Sequence, residues 1–296
     1  MMKKITAILS AALIAALLLS ALTGCRFVIP AFPQGADSES EPYTQTEEHT
    51  DALTEAATEQ DEGRWNYVLR LETTENTYYG DDGTLFATVT YERPVLELAG
   101  DPDAVPPAAM QNVCDSFNRN FDEIYDDSAA ETHGKSAEET YREIGFGYTY
   151  EDEIRVLRSR VDGDLVEVEL QRYIYAGGAH GGSARWGCHF DLQEAAFFTL
   201  ADLTDDGAGL ARAIAEEVIR QIDANSTETS YFDGYEETIR NKEAQEFTLG
   251  ENALTVIFGE YEITPYSEGI QEFEISYDII RSFLNARGER LLLSPR

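Results

Sequence analysis

The stretch from residue 164 to residue 192 decides the fold, and it reads DLVEVELQRYIYAGGAHGGSARWGCHFDL. The apolar and aromatic side chains before residue 176 favour an extended strand. After the corner, Trp186, Cys188, Phe190 and Leu192 sit two residues apart, which places all four on one face of a second strand. The corner itself, residues 177–182, contains four glycines, whose backbones adopt positive φ values that other residues resist. The sequence therefore predicts a long β-hairpin with a wide glycine loop at the centre of the folded part.

Strand-like and helix-like segments surround this hairpin. Alternating or continuous apolar runs predict strands at residues 65–73, 84–98, 148–161, 247–249, 253–258 and 273–277. Apolar residues at three- and four-residue spacing predict helices at residues 107–125 and 208–224. Shorter helices are expected at residues 136–145, at residues 236–245, which are mostly polar, and at residues 279–284. Ser136 opens one of these helices with a capping-box pattern, and Pro94 predicts an edge position or a bulge in its strand. Because helices and strands are segregated, we expect an α+β fold with mainly antiparallel sheets and amphipathic helices packed on them.

The N-terminus has the pattern of an export signal. Two lysines lie within the first four residues, residues 5–22 are almost wholly apolar, and Leu22-Thr23-Gly24-Cys25 follows. This pattern resembles a bacterial lipoprotein signal, and the resemblance implies cleavage before Cys25 with diacylglycerol on its sulfur. The alternative is a transmembrane anchor, because eighteen mostly apolar residues are long enough to span a bilayer. Both alternatives predict localisation at the cell membrane with the rest of the chain on the extracytoplasmic face.

The chain is strongly acidic. It has 56 acidic and 22 basic residues, a net charge of −34, and loss of the two lysines with residues 1–24 would make this −36. Such a charge opposes binding to nucleic acid and electrostatic attraction to anionic lipid. It is compatible with solubility at an anionic cell surface and with attraction of a cationic partner. Residues 25–63 combine many Glu, Asp, Thr and Ser residues with few large apolar ones, so we expect a disordered acidic linker.

Three blocks in the folded part carry a family resemblance. They are residues 175–181 (YAGGAHG), residues 190–203 and residues 247–277. Together they resemble the extracytoplasmic module shared by RsiV-type anti-sigma factors and PdaC-type peptidoglycan deacetylases. The resemblance implies a PdaC-like domain at residues 64–192 and an RsiV C-terminal-type domain of unknown function at residues 193–296. RsiV-type proteins sense lysozyme by binding it, so the resemblance also implies lysozyme, or another cationic protein or ligand of the cell wall, as a partner.

The glycine corner and one later loop supply the candidate binding residues. His180 lies between Gly178 and Gly181, where it can act as an acid, a base or a ligand, or can simply cap the turn through a backbone hydrogen bond. The loop at residues 261–269 contains Tyr261 and Tyr266. It is either a turn between strands or one wall of a groove formed with the corner that begins at Gly177.

Other polar residues give weaker indications. His133 and His189 can be combined with carboxylates into a metal site, but no His-Glu-x-x-His or phosphate-loop pattern is present, and we expect no metal or cofactor. Asp202, Asp205 and Asp206 flank a predicted helix start, where carboxylates favour the positive end of the helix dipole. Calcium binding is the alternative for these three residues, although the EF-hand pattern is missing.

Two cysteines remain after Cys25. Cys114 and Cys188 can form a disulfide in an oxidising compartment. Both also lie on predicted core faces, where a thiol behaves as a small apolar residue. The sequence leaves both possibilities open.

Taken together, these features predict a membrane-anchored lipoprotein with a non-catalytic binding module. The alternative is a peptidoglycan-modifying enzyme, or its accessory subunit, that uses His180 and nearby carboxylates. We expect neither sigma-factor signalling nor deacetylation, since a lipoprotein signal stands in place of a cytoplasmic sigma-binding segment and no deacetylase domain follows the module.

Overall fold

The computed structural model describes residues 65–101, 103–225, 229–242 and 246–293, and over these ranges the chain has the predicted α+β fold. A six-stranded sheet contains β1 (Trp65–Tyr79), β2 (Leu85–Gly100), β3 (Tyr150–Asp162), β4 (Leu165–Tyr175), β5 (Gly182–Asp191) and β6 (Ala196–Phe197). A three-stranded sheet contains β7 (Glu246–Leu249), β8 (Ala253–Phe258) and β9 (Gln271–Ser276). The helices are α1 (Ala108–Asp122), α2 (Ala129–Ile144), α3 (Gly207–Asn225), α4 (Tyr235–Asn241), α5 (Tyr277–Ile280) and α6 (Ala286–Leu293).

The export signal, Cys25 and the acidic linker lie outside the described residues. Among the residues that are described, no helix combines the length and the apolar character needed to cross a bilayer.

The predicted central hairpin is confirmed. β4 and β5 are antiparallel neighbours, with Cα partners from Leu165 and Asp191 to Ile174 and Gly182. Phe190 faces the core of the first sheet, together with Phe117 of α1. Since side chains alternate along a strand, His189 faces the opposite side, where it is buried and stacks on Phe247 of β7.

Strand order in the large sheet follows chain order, and the neighbours are antiparallel except for β2 and β3. β3 pairs with β2 only from Ala87 to Tyr91. Pro94 lies beyond this pairing, so its missing N–H removes no ladder hydrogen bond to β3. The prediction of an edge position is therefore correct locally, although β2 has a neighbour on each side.

The first two helices cover this sheet. α1 buries Cys114, Phe117 and Phe121, as its spacing predicted. α2 begins at Ala129, so the predicted start at Ser136 is wrong, whereas the predicted end at Gly145 is confirmed by its left-handed φ of 69°. The helix continues through Gly134 because the missing side chain lets the Tyr78 ring pack there: a Cβ would lie 2.5 Å from that ring.

The second half of the chain forms its own core around α3 and the three-stranded sheet. Leu210, Ile214, Val218 and Ile222 of α3 are buried against apolar residues of β7, β8 and β9. The predicted helix at residues 279–284 is present as α5 followed by a 3-10 turn at Arg281–Phe283. The sequence prediction missed α6.

Buried carboxylates join the two halves. Glu167 of β4 is almost fully buried, accepts a hydrogen bond from the Leu249 N–H of β7, and pairs with Arg160 at 2.7 Å. The Arg160 guanidinium also donates to the Leu249 carbonyl at 2.8 Å. Asp191 of β5 pairs in the same way with Arg287 and Arg290 of α6, at 2.9 and 2.6 Å. The Glu167–Leu249 hydrogen bond and the ion pairs of Asp191 with α6 each cross between the two halves of the chain, so these two clamps hold the halves together.

The backbones of the two sheets also come very close. A Cβ on Gly187 of β5 would lie 2.1 Å from the Phe247 carbonyl oxygen of β7. No side chain fits at this distance, so the seam requires glycine at position 187.

Cys114 and Cys188 are buried thiols in the first core and are not joined as a disulfide, which is the second of the two possibilities the sequence left open. Burial, the largest contribution, raises the pKa of Cys114 to about 11. The Cys114 thiol is therefore protonated at neutral pH and behaves as an apolar core residue.

Candidate functional site

The glycine corner lies at one end of the six-stranded sheet, where residues 176–181 join β4 to β5. Gly177 and Gly178 have φ values of 86° and 107°, in the left-handed region that favours glycine. Gly181 plays a different part: a Cβ there would lie 2.4 Å from the Tyr173 ring. The first two glycines therefore permit the turn, and the third lets an aromatic ring pack directly against the backbone.

His180 is exposed at this corner, and both of its ring nitrogens have contacts. Nδ1 is 2.7 Å from the Gly181 carbonyl oxygen, and Nε2 is 3.4 Å from the Tyr261 hydroxyl. Because a carbonyl oxygen only accepts, Nδ1 carries the proton, and in the neutral ring Nε2 accepts from the Tyr261 hydroxyl. The imidazole also stacks on Tyr266 with ring centroids 3.9 Å apart.

The two tyrosines belong to the loop between β8 and β9. Their ring centroids are 5.6 Å apart with an interplanar angle of 26°. Tyr261 is 43% exposed and has a φ of 62°, which is rare for a bulky residue. Backbone strain of this kind persists only where the surrounding structure enforces it, and it concentrates at functional sites. Desolvation raises the pKa of Tyr266, so its hydroxyl is protonated at neutral pH.

Two carboxylates hold this loop in place, and one of them ties it to the corner hairpin. Glu260 accepts a hydrogen bond from the Ser183 backbone N–H at 3.0 Å, which ties the loop to the start of β5. Desolvation raises the pKa of Glu260 despite this hydrogen bond. Glu262 accepts from the Gly259 N–H at 2.8 Å and pairs with Lys242 at 2.5 Å. The loop is thus held at both sides of Tyr261, and the exposed ring edges are presented by a fixed backbone.

The structure brings together the residues that the sequence singled out. His180, Tyr261 and Tyr266 form one aromatic cluster, which matches the predicted groove wall in position. Sequence reasoning missed Tyr148: a Cβ on Gly177 would lie 2.9 Å from its ring, and it contacts Tyr175 edge-to-face at 6.2 Å. No spacing links Tyr148 to the corner, because the contact depends on the pairing of β3 with β4.

The remaining histidines lie elsewhere. His133 stacks on Tyr150 with centroids 4.3 Å apart, and His189 is buried in the seam between the sheets. Burial is the main cause that lowers the pKa of His189 to about 3, so the ring is neutral. Within the described ranges, no group of three His, Cys, Asp or Glu side chains is arranged to hold a metal ion.

The acidic residues near residue 205 act as caps. Asp202 accepts from the Thr199 N–H at 2.7 Å, which completes a capping box on the 3-10 helix at Leu200–Leu203. Asp206 accepts from the Gly209 N–H at 2.9 Å in the first turn of α3. These contacts correspond to the helix-start role that the sequence predicted for two of the three carboxylates.

Residues 201–278 match a family described as a protein of unknown function, DUF3298. No curated protein matches the chain. Among solved structures, a DUF3298-family protein from Bacteroides fragilis is similar, with a TM-score of 0.55, 18% sequence identity, and coverage of 77% of this chain and 96% of that one. A DUF3298-family protein from Pseudomonas aeruginosa gives a TM-score of 0.50 and 18% identity, over 75% of this chain and 95% of that one. At these identities the likeness concerns the fold.

Proposed function

We propose that the chain is a lipid-anchored extracytoplasmic protein that binds a cationic cell-wall-active protein, with lysozyme as the sharpest candidate, through His180, Tyr261 and Tyr266. The anchor rests on the Leu22-to-Cys25 pattern. The choice of lysozyme rests on the resemblance to RsiV-type modules, because the DUF3298 match to residues 201–278 is to a family of unknown function and names no ligand.

One observation carries the binding proposal. A bulky side chain, Tyr261, is held in the left-handed region and remains 43% exposed, with its hydroxyl 3.4 Å from His180. Glycine would adopt this left-handed conformation without strain. For other residues the conformation costs about 1 kcal/mol or more. A strained residue that is little buried contributes little to stability, so its ring is best explained by contact with a partner.

The charge of the chain favours a basic partner. Tyrosine rings attract Lys and Arg side chains through the negative faces of their π-systems, worth about 0.5–1 kcal/mol at exposed sites. The net charge of −34 also accelerates encounter with cationic proteins, and this effect falls steeply with ionic strength. The attraction of Lys and Arg to tyrosine rings and the attraction by the net negative charge both favour binding of a basic wall-active protein.

The contacts of His180 favour binding over the peptidoglycan chemistry considered from the sequence. A general base needs a nitrogen available to the substrate, and here Nδ1 meets the Gly181 carbonyl while Nε2 meets the Tyr261 hydroxyl. Turnover of muropeptides by the wild-type chain that is lost in His180→Ala would establish the enzymatic alternative instead.

Calorimetric titration with lysozyme tests the binding proposal. We expect binding that weakens between about 10 mM and about 150 mM ionic strength. Tyr261→Gly should weaken it about 30-fold, which corresponds to about 2 kcal/mol for an interface anchor. Because glycine relieves the backbone strain, the same variant should unfold at or above the wild-type temperature.

A matched control is Val105→Ser, which alters another exposed side chain, 90% accessible, in the loop after the far end of β2. It should bind as the wild type does. Wild-type chain that binds no lysozyme at either ionic strength removes lysozyme as the partner. Binding that survives Tyr261→Gly removes the corner as the site.

A further inference from the structure

Large apolar side chains are exposed at the same end of the sheet as the glycine corner. Phe146 is 72% exposed and Ile144 is 67% exposed, and Tyr141 is also exposed. Strand register places them there: β1 ends at Tyr79, and β3 begins beside β2 just after this segment. A cluster of this kind on a soluble domain marks an interaction site more often than an isolated exposed leucine does.

The local structure holds these side chains outward. α2 ends at Gly145 in the left-handed conformation, so the chain reverses between Ile144 and Phe146. Tyr141 is anchored against Phe86, with ring centroids 5.8 Å apart, and Gly147 passes so close that a Cβ would lie 2.9 Å from the Tyr141 ring. Ile144 and Phe146 are therefore held at the surface by a segment that is itself packed against the domain through Tyr141.

Tyr148 makes this patch continuous with the corner. It follows Phe146 by two residues, its ring packs against Gly177, and it meets Tyr175 edge-to-face. From Tyr175 the surface passes to Gly178, whose carbonyl accepts the Tyr175 hydroxyl at 3.0 Å, and then to His180.

The segments that carry the patch are acidic. Asp81, Asp82, Glu139, Glu143 and Glu151 are exposed within a few positions of it in the chain or beside Arg142. The basic residue within it, Arg142, pairs with Glu138 at 2.6 Å and lies 3.7 Å from Asp81. An apolar patch carried by acidic segments complements a basic protein that presents an apolar side chain, and it repels an anionic membrane surface.

We propose that Tyr141, Ile144 and Phe146 form the apolar half of a protein-docking surface whose other half is the His180 corner. The partner is a basic protein that inserts an apolar or aromatic side chain beside Phe146. This inference rests on the proposed binding function and names a second anchor point for the same partner.

The test measures binding of the full chain, purified in mild detergent, to two basic proteins, lysozyme and cytochrome c, at about 10 mM ionic strength. Phe146→Ser should weaken binding about 30-fold and Ile144→Ser at least several-fold, as expected for central anchors. Both residues are highly exposed, so thermal unfolding should be unchanged, and Val105→Ser should bind as the wild type does.

The outcomes separate this inference from the proposed function. Lysozyme binding that is lost in Tyr261→Gly but intact in both Phe146→Ser and Ile144→Ser overturns the apolar anchor and leaves the corner as the site. Binding to cytochrome c alone, weakened by Phe146→Ser, supports the anchor and removes lysozyme. Chain that binds neither protein overturns both proposals. Sedimentation with phosphatidylglycerol vesicles that depends on Phe146 shows a membrane as the occupant and overturns the protein-docking inference.

Discussion

Removal of the Glu167 carboxylate should weaken the attachment between the two halves of the molecule. Glu167→Ala leaves the Leu249 N–H without its acceptor and removes the carboxylate that lies 2.7 Å from Arg160, whose guanidinium keeps its hydrogen bond to the Leu249 carbonyl. Deleting one member of a buried ion pair costs about 3–5 kcal/mol. Arg158 also lies 3.4 Å from the Glu167 carboxylate. The Arg158 and Arg160 side chains retain 43% and 18% exposure and can turn toward water, so we expect the lower end, about 3 kcal/mol.

Urea unfolding followed by two signals provides the assay. Both tryptophans, Trp65 and Trp186, lie in the six-stranded sheet, so their fluorescence reports the first half, whereas circular dichroism reports α3 and the other helices as well. In the wild type the two signals should change together. In Glu167→Ala the midpoint should fall and the two transitions should separate, because the second half loses its attachment to β4.

A matched control changes an exposed carboxylate in the same sheet. Glu72 of β1 pairs with Arg70 at 2.7 Å at the surface, and Glu72→Gln should leave the unfolding midpoint unchanged. A Glu167→Ala chain that unfolds at the wild-type midpoint, with coincident signals, would refute the argument that this carboxylate clamps β7.

Three further outcomes follow from the structure and the sequence. Gly187→Ala should destabilise the chain by about 3 kcal/mol or more in thermal unfolding, because its Cβ would lie 2.1 Å from the Phe247 oxygen, whereas Gly207→Ala, with nothing within 4 Å, should not. Since burial lowers the pKa of His189 to about 3, the unfolded chain binds a proton at this ring below pH 6.5, the ordinary pKa, while the folded chain does not. The stability supplied by the neutral ring is therefore complete above pH 6.5, and it falls by about 1.4 kcal/mol per pH unit as the pH drops from the unfolded pKa of 6.5 toward the folded pKa of about 3. His189→Phe should flatten this slope when urea unfolding is measured at successive pH values. Cys25→Ala should move the chain from the membrane fraction to the soluble fraction, and retention in the membrane would indicate a transmembrane anchor instead.

Local patterns were sufficient for the central hairpin and for most elements around it. Alternation on either side of residues 177–182 defined β4 and β5, and Gly145 marked the end of α2. The start of α2 was mispredicted because Gly134 lowers helix propensity locally, and its compensation is a tertiary contact with Tyr78. Such a contact leaves no periodic signal in the sequence.

The candidate site was only partly accessible from the sequence. An aromatic loop and a glycine corner were recognisable separately, and their pairing was a hypothesis that the geometry of His180, Tyr261 and Tyr266 matches. The apolar patch at Ile144 and Phe146 was not foreseen, because a helix end with apolar residues is usually buried. Whether such residues are covered depends on the packing of distant strands, which single-sequence patterns do not specify.

The Glu167 clamp indicates that the second half of the chain does not form a separate folding unit. The family match covers residues 201–278, yet the amide and carbonyl of Leu249 inside that span are satisfied by side chains that β3 and β4 contribute. A fragment cut at residue 201 would expose those groups and the strand face that His189 covers, and it should aggregate or remain unfolded when produced alone. The fold likeness to the Bacteroides fragilis structure instead runs across 77% of the chain, so it includes residues on both sides of the Glu167 clamp.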